Sequence, residues 1–180
     1  MKISLIIDLN YLLYKNTFIL KKLRTIKQDL DELLMNDFKK IIKSYPFDNI
    51  YVACDSNKNN WRRQLYPEYK AQREHDNSID WQFVFATYAK FKNKIKKFKN
   101  VKFFEMEGLE GDDFIGYIVQ ESNKNGHSNV ILSSDADNHQ LLKQDLNGEW
   151  INFQWNYKFS DERLYLPNNY QLVIEKMVNS

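Results

Sequence analysis

One cysteine, three prolines and five glycines in 180 residues leave little that could cross-link this chain or break it up. The lone Cys54 excludes an internal disulfide and any multi-cysteine metal cluster, and it fits a reducing compartment. So few glycines and prolines exclude a collagen-like repeat and argue against disorder. No apolar run approaches the roughly 20 residues that span a bilayer. The opening MKISLIIDLN turns polar too early for a secretion signal. These absences predict a soluble, cytoplasmic protein with no membrane partner.

Charge of one sign is also missing, since the net is only +2. Its distribution says more than its sum. The stretch 58–73 is basic, the stretch 88–102 holds seven lysines and no acid, and Glu105–Asp113 carries −5 without a lysine or arginine. A negative focus between positive stretches predicts a polyanionic substrate together with divalent cations. Each lysine-rich run taken alone reads better as a solvated helix face. Hydrophobic residues make up 43% of the chain, enough for a sizeable core in a single domain over 1–180.

The pattern along the chain alternates strand and helix. Ile3–Asp8 is too short an apolar run for a helix and reads as a buried strand. A helical passage to about Ser44 follows, with Ile26, Leu30, Leu33, Leu34, Phe38, Ile41 and Ile42 on one face. Ile50–Cys54 reads as a second strand, Lys102–Met106 as a third and Asn129–Ser133 as a fourth. Helices are predicted over about 79–99 and from Asp112 to about Asn123, with a short one near 139–142. Glu149–Trp155 alternates like a strand. Beyond it the pattern suggests a hairpin over Lys158–Leu166 and a terminal helix over Asn168–Val178. Such alternation implies an α/β domain, its mostly parallel central sheet covered by helices on both faces.

Open sheets of this kind bind ligands beyond the carboxyl ends of their strands. Here those ends carry acids: Asp8, Asp55, then Glu110, Asp112 and Asp113 in one turn, then Asp135 and Asp137. One aspartate after a strand is commonplace as a helix cap. Seven carboxylates from four strand ends exceed what capping needs. Oxygen donors without histidine or cysteine suit hard cations, Mg²⁺ or Mn²⁺. Phosphoryl transfer uses such clusters, because one ion acidifies water and two ions about 4 Å apart stabilise the attacking and leaving oxygens. The stretch 61–73 then supplies cations for phosphate and aromatic rings for unpaired bases. Cys54 reads as an inert core residue, and His75, His127 and His139 carry no assignment.

Four blocks, LIIDLN, VACDSNKNNWRRQLYPEYKAQR, EGDD and VILSSDADNHQLL, give the chain a resemblance to the flap-endonuclease and 5′–3′ exonuclease superfamily. It resembles most the ribonuclease H of tailed phages, over Ile3 to about Trp155. The resemblance implies a PIN-like three-layer fold and metal-dependent 5′-nuclease activity on RNA–DNA or DNA duplexes with 5′ single-stranded ends, as in primer removal. It implies that Asp8, Asp55, Glu110, Asp112, Asp113, Asp135 and Asp137 bind metal, two ions in all. Asp112 and Asp135 are the acids expected to matter most for turnover. Lys70 and Arg73 match the basic pair that contacts the scissile phosphate. Arg62 and Arg63 match strand-binding positions, Tyr66 and Tyr69 are the rings expected to stack on unpaired bases, and a short arch is expected near 61–80.

Leu9 stands where many relatives have glycine. The family continues past a point equivalent to Ser180 into a helical region with further aspartates and a helix-hairpin that grips duplex DNA, and nothing here matches that region. The second ion's site is therefore expected to be incomplete, or completed by a separate C-terminal chain. A single-strand-binding or clamp protein of replication is a second expected partner class, and host cytoplasm is the expected location for a phage product. Two other readings stand beside the nuclease: a nucleic-acid-binding half-nuclease that does not cut alone, and a PIN-type RNA endonuclease of the toxin kind.

Overall fold

The structure, a computed structural model, describes residues 2–56, 60–71, 75–147 and 149–155. The expected hairpin and terminal helix beyond Trp155 lie outside the described residues, as does Arg73. The chain opens with β1 (Lys2–Asp8), whose five central residues are buried because both faces of the sheet are covered. Asp8 ends it and accepts the Tyr11 N–H, so the aspartate that stops the strand also starts α1 (Leu9–Leu23).

The expected single helical passage to Ser44 is two helices. Arg24 takes a left-handed conformation (φ 58°) and its N–H returns to Leu20 and Lys21, which closes α1 before α2 (Ile26–Lys43) begins. No glycine or proline marks that break. Across the break α2 folds back on α1, where Leu30, Leu34 and Phe38 share a core with Leu12 and the buried Lys15 (2% exposed) pairs with Asp37. A lysine so buried is stable only with its counter-charge in place.

Next come β2 (Asn49–Ala53), the short α3 (Trp61–Leu65) and α4 (Trp81–Ile95), capped by Asp80. They are followed by β3 (Val101–Phe104), α5 (Gly111–Lys124) and β4 (His127–Leu132). A 3₁₀ turn (Ala136–Leu141) leads to β5 (Lys143–Gln144) and β6 (Trp150–Trp155). The two-residue β5 was not foreseen, and the predicted helix over 79–99 is shorter at both ends.

The six strands lie in the order β3-β2-β1-β4-β6-β5. Every pairing is parallel except β5 with β6. Helices α1, α2 and α4 cover one face through a core that includes Leu12, Phe38, Val52 and Phe91. Phe38 meets Phe91 and Phe98 edge-on at 5.9 and 5.6 Å. Helix α5 covers the other face with Phe114, Ile115, Ile118 and Val119 against Ile6, Ala53 and Ile131. The α/β architecture expected from the alternation is the one found. Strand order reverses between β1 and β4, so a crevice opens beyond their carboxyl ends. No helix among the described residues is long and apolar enough to cross a membrane.

Candidate active site

Four of the seven expected carboxylates meet at that crevice. Asp8 ends β1, Asp55 follows β2, Asp112 stands in the first turn of α5 and Asp135 follows β4. Together with Asn10, Tyr11 and Lys70 they line one cleft of about 300 Å³. Each of three is held by a backbone donor. Asp8 accepts from Tyr11 at 3.1 Å, Asp55 from Gly111 at 2.6 Å, and Asp135 from Asp137 at 2.9 Å. Asp8 also accepts the Ser133 hydroxyl at 2.8 Å. Helix capping is therefore true of these acids without accounting for their convergence.

The electrostatics shows that convergence. Burial pushes the Asp8 carboxyl up to about 7; the Tyr11 N–H and Ser133 hydroxyl oppose this, and Asp112 and Asp55 add repulsion. Burial also raises Asp112 to about 6, reinforced by Asp135 and Asp55. Among the described residues no lysine or arginine forms an ion pair with any of the four. The carboxylates line the cleft without being drawn into a closed coordination shell: no three acids or histidines among the described residues already stand at metal-holding spacing. The donor set is nonetheless all carboxylate oxygen, with none of the four in an ion pair among the described residues, which suits a hard divalent cation.

Glu110 and Asp113 are placed differently. Glu110 is 6% exposed and accepts from Asn60 (2.8 Å), Tyr69 (3.0 Å) and Lys70 (2.8 Å), with Arg62 at 3.5 Å. Burial alone would raise its pKa; the Lys70 ammonium, with Tyr69 and Asn60, outweighs burial and holds it below the usual range. Asp113 forms a two-pronged bond with Arg62 at 2.9 and 2.7 Å, which lowers its pKa, and it accepts the Glu110 N–H. The basic stretch is thus fastened to the acidic turn by its own side chains. Asp137 is exposed on the 3₁₀ turn.

Lys70 adopts φ 58°, uncommon for a residue with a side chain. Its ammonium reaches Glu110 and packs over Tyr69, and it borders both the acid cleft and a neighbouring cavity of about 340 Å³. Arg63 and His75 line that second cavity, where His75 packs against Trp81 at 5.0 Å. Arg62 stacks on Trp61 at 4.6 Å. Tyr66 is exposed and donates to Glu68. The lysines of 88–102 are largely occupied: Lys94 pairs with Asp31, Lys92 and Lys96 with Glu105, and Lys102 with Asn49. That run fastens α4 to α2 and to the loop after β3. Cys54 is buried, and burial raises its thiol to about 11, as an inert core residue requires.

Sequence reasoning missed Asn60, Ser133 and Gln154. Asn60 caps α3 and braces Glu110, a role signalled only by its place before WRR. Gln154 donates to the carbonyls of Ser133 (3.1 Å) and Asp135 (2.8 Å) from a strand whose pattern showed alternation and nothing else.

A mostly parallel sheet covered on both faces, with aspartates delivered past β1, β2 and β4 into one cleft, defines a PIN-like α/β domain. The chain belongs to the family described as 5′-3′ exonuclease, N-terminal resolvase-like domain, whose model matches residues 3–169. It is 29% identical over 142 residues to a 5′-3′ exonuclease of Mycoplasmopsis pulmonis (strain UAB CTIP), covering 79% of this chain and 46% of that protein. To the ribonuclease H of Enterobacteria phage T4 it is 28% identical over 125 residues, 66% of this chain and 41% of the other. The chain therefore spans less than half the length of these two relatives. In fold it is similar to T5 5′-exonuclease with bound divalent metal ions (zinc), with a TM-score of 0.67 and 19% identity. That likeness covers 87% of this chain and 55% of the other. The relatives so named are nucleases.

Proposed function

We propose that this chain hydrolyses phosphodiesters at the 5′ ends of RNA–DNA or DNA duplexes, using Mg²⁺ or Mn²⁺, as primer removal in phage-type replication requires. The observation that carries this reading is the cleft where Asp8, Asp55, Asp112 and Asp135 meet, none of them in an ion pair among the described residues. Family membership supports the chemistry, and a T5 relative solved with DNA and metal ions supports the substrate class.

Asp8, Asp55, Asp112 and Asp135 would hold the ions, with Asp137 at the outer edge. Bound cations would supply Lewis-acid polarisation of the scissile phosphate and a more acidic water. Lys70 borders the cleft and neutralises charge on the phosphate, and Arg73 joins it on the strength of the YKAQR motif. Glu110 and Asp113 hold Lys70 and Arg62 in place until phosphate competes for them. Arg63, Tyr66 and Tyr69 contact the single-stranded 5′ end.

The test is cleavage of a 5′-labelled duplex, one strand carrying an RNA primer and another a DNA flap, with Mg²⁺, Mn²⁺ or EDTA. Shortening of the labelled strand is expected with either ion and none in EDTA. Asp135→Asn should abolish it while circular dichroism and melting match the parent. Cleavage persisting in EDTA, or an Asp135→Asn variant as fast as the parent, would end this reading.

A further inference from the structure

Ser133 follows β4 directly and is fully buried, its N–H bonded to the Trp155 carbonyl of β6. Its hydroxyl stands between two of the cleft acids. It accepts the Asp135 N–H at 3.1 Å and donates to Asp8 Oδ2 at 2.8 Å. The first direction is fixed, because an N–H can only donate, and the hydroxyl's own hydrogen is then free to go to the Asp8 carboxylate. The parallel register that pairs Ile7 with Leu132 puts Asp8 and Ser133 opposite each other at the ends of adjacent strands. One hydroxyl therefore sets the Asp8 carboxylate relative to the turn that carries Asp135.

The turn is clamped from its other side by Gln154. Its buried side-chain amide spends both N–H groups on the carbonyls of Ser133 and Asp135. Two carbonyl partners require the nitrogen end there, and a glutamate would set an anion against them. Strand β6 lies beyond β4 in the sheet and contributes no acid to the cleft, yet it braces the end of β4 and the turn that carries Asp135.

We propose that Ser133 and Gln154 are positioning residues that set Asp8 against Asp135 and so control how tightly the cleft holds a divalent cation. The proposal rests on the cleft being a metal site. Groups one step behind metal ligands are typically worth 10- to 100-fold in affinity. The test is Mn²⁺ binding to the full 180-residue chain without nucleic acid, by isothermal titration and by loss of the free-ion paramagnetic resonance signal. Ser133→Ala should bind Mn²⁺ about 10- to 100-fold more weakly, with Ser133→Thr recovering most of the loss. Gln154→Met, close in volume but without donors, should lose about tenfold.

A serine of purely structural importance would lower the melting temperature and leave the Mn²⁺ affinity of the folded protein unchanged, and that result overturns the proposal. Should Ser133→Ala fail to fold, Ser133→Cys and Gln154→Met decide it: parental affinity in both overturns it. If the parent itself binds no Mn²⁺, the metal reading of the cleft falls, and this proposal with it. Parental binding retained in every variant removes the proposal alone.

Discussion

Asp8 and Asp112 hold their protons well above the usual carboxylate range, and this determines how the metal-free protein answers to pH. Burial raises Asp8 from 3.8 to about 7 and Asp112 from 3.8 to about 6, with neighbouring carboxylates adding to both. Between those limits the folded state binds protons that the unfolded chain has released. Their contribution to stability is complete below the unfolded value and is lost as pH rises through the folded values. In EDTA the melting temperature should therefore fall between pH 5 and pH 8. Saturating Mg²⁺ should flatten that slope, because ligation requires ionised carboxylates. Melting curves across that range with and without Mg²⁺ measure it, and Asp8→Asn should remove much of the EDTA slope.

The helix that delivers Asp112 shows how an element is tuned to the site. At Gly111, the first residue of α5, a Cβ would come within 3.1 Å of Asp55 Oδ1. The absent side chain lets Asp55 sit on the Gly111 N–H at 2.6 Å. Alanine is the better helix former by roughly 1 kcal/mol, so Gly111→Ala should leave stability within about that margin of the parent. It should weaken Mn²⁺ binding about tenfold by pushing Asp55 aside. Thermal melting and calorimetric titration of one preparation separate the two effects. Much at this scale was legible in the chain: the runs ILS and IYV read as strands, and EGDD read as the opening of a helix. The break at Arg24 was not legible, because an arginine in left-handed conformation has no local signal and the packing of α2 on α1 across it, with the buried Lys15–Asp37 contact, is tertiary.

For the molecule as a whole, one sheet is shared by two apolar layers, so loss in either should loosen both. Phe38 is fully buried among Phe91 and Phe98 on the α1–α2–α4 side. Phe38→Ala should cost about 3–5 kcal/mol and lower the midpoint of a single denaturant transition. Tryptophan fluorescence and far-ultraviolet circular dichroism should report the same midpoint; divergent midpoints would show the layers melting separately. The sequence by itself determined the alternation of strand and helix and the acids at strand ends, because periodicity and punctuation are written locally. Tertiary structure alone decided that β1 lies beside β4, which brings Asp8 to Ser133 and the Asp135 turn. It also gave Glu110 and Asp113 to Lys70 and Arg62, leaving Asp8, Asp55, Asp112 and Asp135 to line the cleft. Strand order and ion-pair choice depend on groups far apart in the chain, and only packing settles which of them meet.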